Sequence, residues 1–200
     1  MSFEALVQGR ASVRQLQSRV VPPELVRQCI AAASWAPSPH GCQPWRFAVL
    51  TQAAAKERLA DAMGATWQSQ LALDGQPATV VATRKEKSEA RITSAPVVII
   101  PCLYLADLDH YTDVERQAAE TTMAVQSLGA AVQNLLLQAY ALGLDTGWMC
   151  APLFCPEIVG AALALDPALT PHALITLGYR AGEPKRRPHR PVDELIVHWE

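Results

Sequence analysis

Aromatic side chains make up only 6% of the 200 residues, and neither sign of charge dominates: 17 Lys and Arg stand against 19 Asp and Glu, a formal −2. A broad nucleic-acid footprint needs a basic face to neutralise phosphates, so no nucleic-acid partner is expected. The cysteines Cys29, Cys42, Cys102, Cys150 and Cys155 are odd in number and contain no C-x-x-C pair. Neither a disulfide framework nor a zinc site is suggested, and buried free thiols in a reducing compartment are expected. His40, His110, His172, His189 and His198 show no ligand spacing, so no metal is expected. Long apolar runs are missing as well. The best one, near residue 135, is broken by Gln133, Asn134 and Gln138 and should not span a bilayer. The opening MSFEALVQGR carries an acid and no apolar core of a leader, so a cytoplasmic protein without a membrane partner is expected. The glycine-rich phosphate loops, the H-E-x-x-H helix and the G-x-S-x-G elbow are all absent.

What is present is apolar material, half of the chain, enough for one domain over residues 1–200 to bury a core unaided. Residues 2–9 read as a short helix ending at Gly9. PPELVRQCIAAASW reads as an amphipathic helix begun by Pro22 and Pro23 and ended by Pro37. RFAVLT reads as a strand, residues 52–71 as a helix, and the mixed-charge segment 74–94 as flexible or partner-contacting. The β-branched run APVVIIPCLYL reads as a buried strand. Apolar residues at three- and four-residue steps predict a long helix over about 117–141, stopped before Gly143, with Gly129, Ala130 and Ala131 flattening one face. LDTGWMC and HALITLGYR read as strands with a short helix between them. A proline-rich tail then runs over the surface to a strand-like end. Helices and strands mix without strict alternation, which predicts an α+β fold.

Both chain ends lean positive. Arg10, Ser12 and Arg14 alternate in RASVR, so in an extended segment they share one face; two guanidiniums and a hydroxyl there suit a phosphate. Exposed arginines at a chain start are also ordinary, as is a basic tail such as KRRPHRP. The prolines of that tail present Arg187 and Arg190 with little entropy to lose. His172 heads an apolar strand and reads as structural, and Trp35 and Trp45 read as core rather than as ligand platforms.

Taken together, four ordered segments resemble the nitroreductase family. They are Arg10-x-Ser12-x-Arg14, the run Ala36-Pro37-Ser38-Pro39-His40-Gly41-Cys42-Gln43-Pro44-Trp45, the stretch AAVQNLLLQAYALGLDTGW, and RRPHRPVDEL. The resemblance covers nearly the whole chain. It implies a nitroreductase-like α+β fold with a central, mostly antiparallel sheet flanked by helices, a C-terminal extension over about 181–200, and an intertwined homodimer with FMN at sites built by both subunits. Carried over, Arg10, Ser12, Arg187 and Arg190 would hold the phosphate and ribityl chain, and Arg14 the pyrimidine side. Pro37, Ser38 and Pro39 of the partner would wall the ring, and Met149, Cys150 and Ala151 would face the N5 edge. The activity implied is an FMN-dependent oxidoreductase: NAD(P)H gives hydride to the flavin and leaves, and a nitroaromatic, quinone or related acceptor then takes the electrons. No catalytic side chain is required. The family's asparagine falls on Gly41, so its hydrogen bond is lost or moves to His40, to Gln43 or to water. An expected arginine becomes His189. The PSPH version is also similar to the nitroreductase-like domain of deazaflavin coenzyme biosynthesis, so a flavin-handling enzyme of that metabolism, or a non-catalytic flavin-binding protein, stands as an alternative.

Overall fold

A computed structural model describes residues 1–186 and 188–200. Helix α1 (Phe3–Gly9) is capped by the Ser2 hydroxyl, which accepts from the Ala5 N–H at 3.2 Å. An extended segment leads to α2 (Pro23–Ala33), where Pro23 sits in the first turn and its missing N–H costs nothing. The helix is already closed at Ala33, before Pro37 acts, because Ser34, Trp35 and Ala36 turn back onto its last carbonyls. There follow β1 (Trp45–Leu50), α3 (Ala53–Leu73), α4 (Ala78–Ser94), β2 (Val97–Tyr104), α5 (Val114–Ala141), β3 (Asp145–Met149), α6 (Pro156–Leu163), β4 (Leu169–Pro171) and β5 (Leu174–Gly178).

The strands pair antiparallel in the order β1-β2-β5-β3, and β4 shares β2 with β5. The buried strand β2 shows how the sheet is sandwiched. Val97, Ile99 and Leu103 point into one cluster with Val26 and Cys29 of α2 and Leu128, Val132 and Leu135 of α5. Val98, Ile100 and Cys102 point the other way, onto Leu59 and Met63 of α3 and Val159 of α6. A strand apolar on both faces is what two covering helical layers demand. The long helix α5 is capped by Asp113 Oδ1 on the Arg116 N–H at 2.8 Å. It ends in a Schellman turn: Gly143 takes φ 76°, and the Leu144 N–H donates to the Ala139 carbonyl at 2.9 Å.

Three expectations are corrected. Segment 74–94, read as flexible or partner-contacting, holds the helix α4, whose buried anchors are Val81 and Ile92 alone, so its apolar period is faint among the charges. The C-terminal end forms no strand; a single 3-10 turn at Val192–Glu194 precedes fully exposed Val197 and Trp199. Trp45 is core, but Trp35 is 86% exposed, because α2 turns at Ser34 and leaves it beyond the packed face. No helix among the described residues is long and apolar enough to cross a membrane.

One polar contact fixes α4 in place. The buried Lys56 Nζ of α3 donates to the Ala95 carbonyl, the C-cap of α4, at 2.6 Å. The absent side chain of Gly64 lets Glu89 of α4 lie close against α3. Burial holds the Lys56 ammonium below its usual 10.5. The native state therefore gives up this proton before the unfolded chain does, and stability rises with pH from the lowered value toward 10.5. Lys56→Met should flatten that alkaline slope. It should also cost about 1–3 kcal/mol near neutral pH, because the Ala95 carbonyl loses its partner, as read by denaturant unfolding across a pH series.

Candidate functional site

Residues 10–17 run extended along the sheet edge. The Val13 N–H donates to the Thr146 carbonyl at 2.8 Å, the Gln17 N–H to Tyr179 at 2.8 Å, and the Gln15 carbonyl accepts from Ala181 at 3.0 Å. Ser12 bridges Thr146 in parallel, and Leu16 bridges Arg180. The two-residue period then divides the segment: Val13 is 2% exposed, while Ser12 and Arg14 face outward. Contact with β3 is this close only because Gly147 has no side chain. A Cβ there would stand 2.7 Å from the Val13 carbonyl oxygen and 2.8 Å from Thr176 Oγ1.

Ser12 and Arg14 face a cleft of roughly 1480 Å³ between three walls. The first is segment 10–16 with the end of α1, the second the tail at 182–186 with Pro188 and His189, and the third the α4 face Lys87, Ala90, Arg91 and Ser94. Arg10, Arg14, Lys87, Arg91, Lys185 and Arg186 bring six cations to it against Glu183, whose carboxylate lies 3.3 Å from Arg180. Arg186 is spent on the chain itself, donating to the Gln8 and Gly9 carbonyls and tying the tail to α1. Among the described residues, Arg10, Arg14, Lys87, Arg91 and Lys185 form no ion pair. Arg10 Nε is buried without a hydrogen-bond partner among them. A buried, unsatisfied guanidinium nitrogen in a cleft of one sign fits an anionic ligand.

The other expected residues lie apart from this cleft in the single chain. Pro37, Ser38, Pro39, His40 and Gln43 form a separate turn, in which the Ser38 hydroxyl accepts from the Gln43 N–H at 3.1 Å. His40, Gly41 and Gln43 are all left-handed, with φ of 49°, 71° and 48°. His40 Nε2 stands 3.7 Å from Asp109. Beneath the turn Glu120 of α5 is 1% exposed, and neither carboxylate oxygen has a partner among the described residues. Burial pushes the adjacent Cys42 thiol up, and the charges of Glu120, Asp107 and Asp109 push the same way. Met149 and Ala151 pack on the α3–α6 side, and Cys150 is exposed, unlike the buried thiols expected. Arg187 lies outside the described residues. Arg190 is not in the cleft lining and stands 3.7 Å from Glu194. His172 lies half-buried away from the cleft: its main-chain N–H donates to the Pro101 carbonyl at 2.9 Å, and burial lowers the imidazole's pKa. Lys87 and Arg91 were missed by sequence reasoning, although their i, i+4 spacing in TRKEKSEAR was readable.

The molecule is thus a sheet between two helical layers with a cation-lined cleft along one edge. A model of the nitroreductase family matches residues 7–179. The chain belongs to that family, a class of FMN-dependent oxidoreductases. It is similar to an NADH dehydrogenase of Thermus thermophilus, 29% identical over 218 residues covering 95% of this chain and 92% of the other. A BluB-like flavoprotein from Clostridium difficile superposes with a TM-score of 0.82 at 22% identity, each chain covered in full. A nitroreductase-type structure from Desulfovibrio desulfuricans in complex with FMN superposes with a TM-score of 0.73 at 28% identity, covering 98% of this chain and 96% of the other.

Gly147→Ala tests the close approach that sets the cleft floor. The added carbon should push residues 12–14 off β3 and cost about 1–3 kcal/mol of stability, measured by chemical denaturation. Amide exchange should speed up at Val13.

Proposed function

We propose that the protein passes hydride from NAD(P)H by way of FMN to a small-molecule acceptor, a nitroaromatic, quinone or related compound, in a ping-pong cycle. In this reading it acts as a homodimer whose 37–43 turn walls the partner's flavin site. The observation that carries the reading is the buried, unpartnered Arg10 Nε in a cleft with six cations and one carboxylate. FMN, when bound, would supply the hydride-transfer chemistry between donor and acceptor. The chain's own residues hold and orient. Arg10 and Lys185 offer charged donors to the phosphate, with Arg187 and Arg190 expected to join them, and Ser12 offers a hydroxyl to the ribityl chain. Arg14 would hold the pyrimidine side and favour its negatively charged form, and charge-assisted hydrogen bonds contribute about 1.5–3 kcal/mol each. The backbone at Met149, Cys150 and Ala151 would face the N5 edge. The turn at Pro37–Gln43, already braced by Ser38, would lose little entropy on closing over a ring.

A second reading, a flavin- or deazaflavin-handling enzyme, is favoured by one observation. A Cβ at Gly41 would meet nothing within 4 Å, and the position where the resemblance expects an asparagine carries no side chain. Titrating the FMN-loaded protein with a deazaflavin separates the two; binding only above the micromolar range sinks the second.

The purified protein should be yellow, bleach on mixing with NAD(P)H under argon, and regain colour when a quinone is added. A colourless preparation that takes up no added FMN overturns the proposal. Arg10→Ala should weaken FMN binding roughly 10- to 100-fold, the loss of one charge-assisted contact, as followed by flavin fluorescence. Bound FMN should also slow alkylation of exposed Cys150, whereas Cys29, whose thiol burial pushes up to about 12, should react only on unfolding in either state.

A further inference from the structure

One acid stands among the cations of the cleft, and it is tied down from outside. Glu183 is the single carboxylate in the described lining, and its side chain is 88% exposed. A free carboxylate on a wall of opposite charge is drawn across to the nearest cation, where it would take the place of an anionic ligand. Here it is turned away, because Arg180 Nη1 lies 3.4 and 3.3 Å from its two oxygens. Arg180 is not part of the cleft lining. It stands two residues past β5 and lines a separate recess with Gln17, Tyr140, Asp145 and Tyr179.

Surface ion pairs usually hold little, since two long side chains must be ordered for one contact. Arg180 has already lost that freedom. Its main chain is fixed by the bridge to Leu16 and by the Gln17 side-chain amide, which donates to the Arg180 carbonyl at 2.7 Å. Its Nε stands 3.3 Å from Oδ2 of Asp145, whose side chain is 6% exposed at the start of β3. Burial raises the Asp145 pKa and Arg180 opposes the rise, so the guanidinium is the counter-charge of this buried acid. At the other end of the same stretch, Arg186 donates to the Gln8 and Gly9 carbonyls. With both ends of 180–186 fixed, the Glu183 main chain stays in the cleft wall, and only its side chain is divided between Arg180 and the cleft.

We infer that Arg180 is a latch shared by two acids: held on its Nε side by buried Asp145, it keeps Glu183 out of the cleft and so leaves Arg10 and Arg14 open to an anion. It is a positioning residue that acts through Glu183. The inference rests on the reading of the cleft as a flavin phosphate site and adds what guards the charge of that site. The fork of the guanidinium is essential. Lysine offers one point charge where arginine offers separate Nε and Nη1 donors. A lone ammonium would stay with Asp145, because a buried acid loses most when its counter-charge leaves. Arg180→Lys therefore releases Glu183 while sparing the fold.

The test is fluorescence titration of FMN into wild type, Arg180→Lys, Glu183→Gln and the R180K/E183Q double variant. Arg180→Lys should weaken FMN binding about 3- to 10-fold, the effect of freeing one charge of the ligand's own sign, and Glu183→Gln alone should stay within about 2-fold of wild type. The double variant should also return to within about 2-fold of wild type, a rescue that a merely structural arginine would not show. Weakening that Glu183→Gln fails to rescue overturns the inference, and so does an Arg180→Lys protein that binds FMN as wild type does. Should Arg180→Lys fail to fold, D145N/R180Q, which removes the buried charge together with its partner, takes its place with and without Glu183→Gln. A wild type that takes up no FMN sinks the proposed function instead. The same proteins titrated with inorganic pyrophosphate then decide the latch by the same pattern, and a wild type that binds neither anion overturns it.

Discussion

Everything the site can do depends on one backbone approach, that of Val13 to the strand Thr146–Gly147. Because Gly147 carries no Cβ, segment 10–17 lies directly on the sheet edge and exchanges main-chain hydrogen bonds with Thr146, Tyr179 and Ala181. That contact makes an exposed chain start into a rigid ledge. It also joins distant parts of the sequence, since the residues just after β5 that pair with the segment lead straight into the tail. Without it Arg10 and Arg14 would be two solvated arginines of the ordinary kind, with side-chain entropy to lose before they could hold anything.

The charges of the molecule divide to match. Cations from three separated segments meet at the cleft, whereas the 37–43 turn sits over Glu120, Asp107 and Asp109. A near-neutral total conceals both regions. This is why net charge said nothing about a local cluster of cations: focusing depends on where like charges lie, and a whole-chain count averages that away.

Much of the fold could be read in advance because its signals were local. The β-branched run of β2, the Gly143 stop of α5 and the alternation in RASVR each follow from backbone or side-chain preferences within a few residues. Arg10, Ser12 and Arg14 were read as sharing one face for that reason, and all three line the cleft. What escaped was set by tertiary contact. Helix α4 has only two buried anchors and owes its place to Lys56 and to the room at Gly64, both on another helix. Trp35 was assigned to the core because indoles usually are, but α2 closes one residue too soon for it. Glu120, unpartnered under the turn, gave no sign in a helix whose other inward positions are apolar or small.

The left-handed turn has a further consequence for what position 41 can carry. Glycine bears φ 71° freely, whereas most side chains would be strained on that backbone and asparagine is among the few that tolerate it. A Cβ there would meet nothing within 4 Å. Conformation, not space, is what restricts position 41, and an amide is the side chain this turn would accept at least cost.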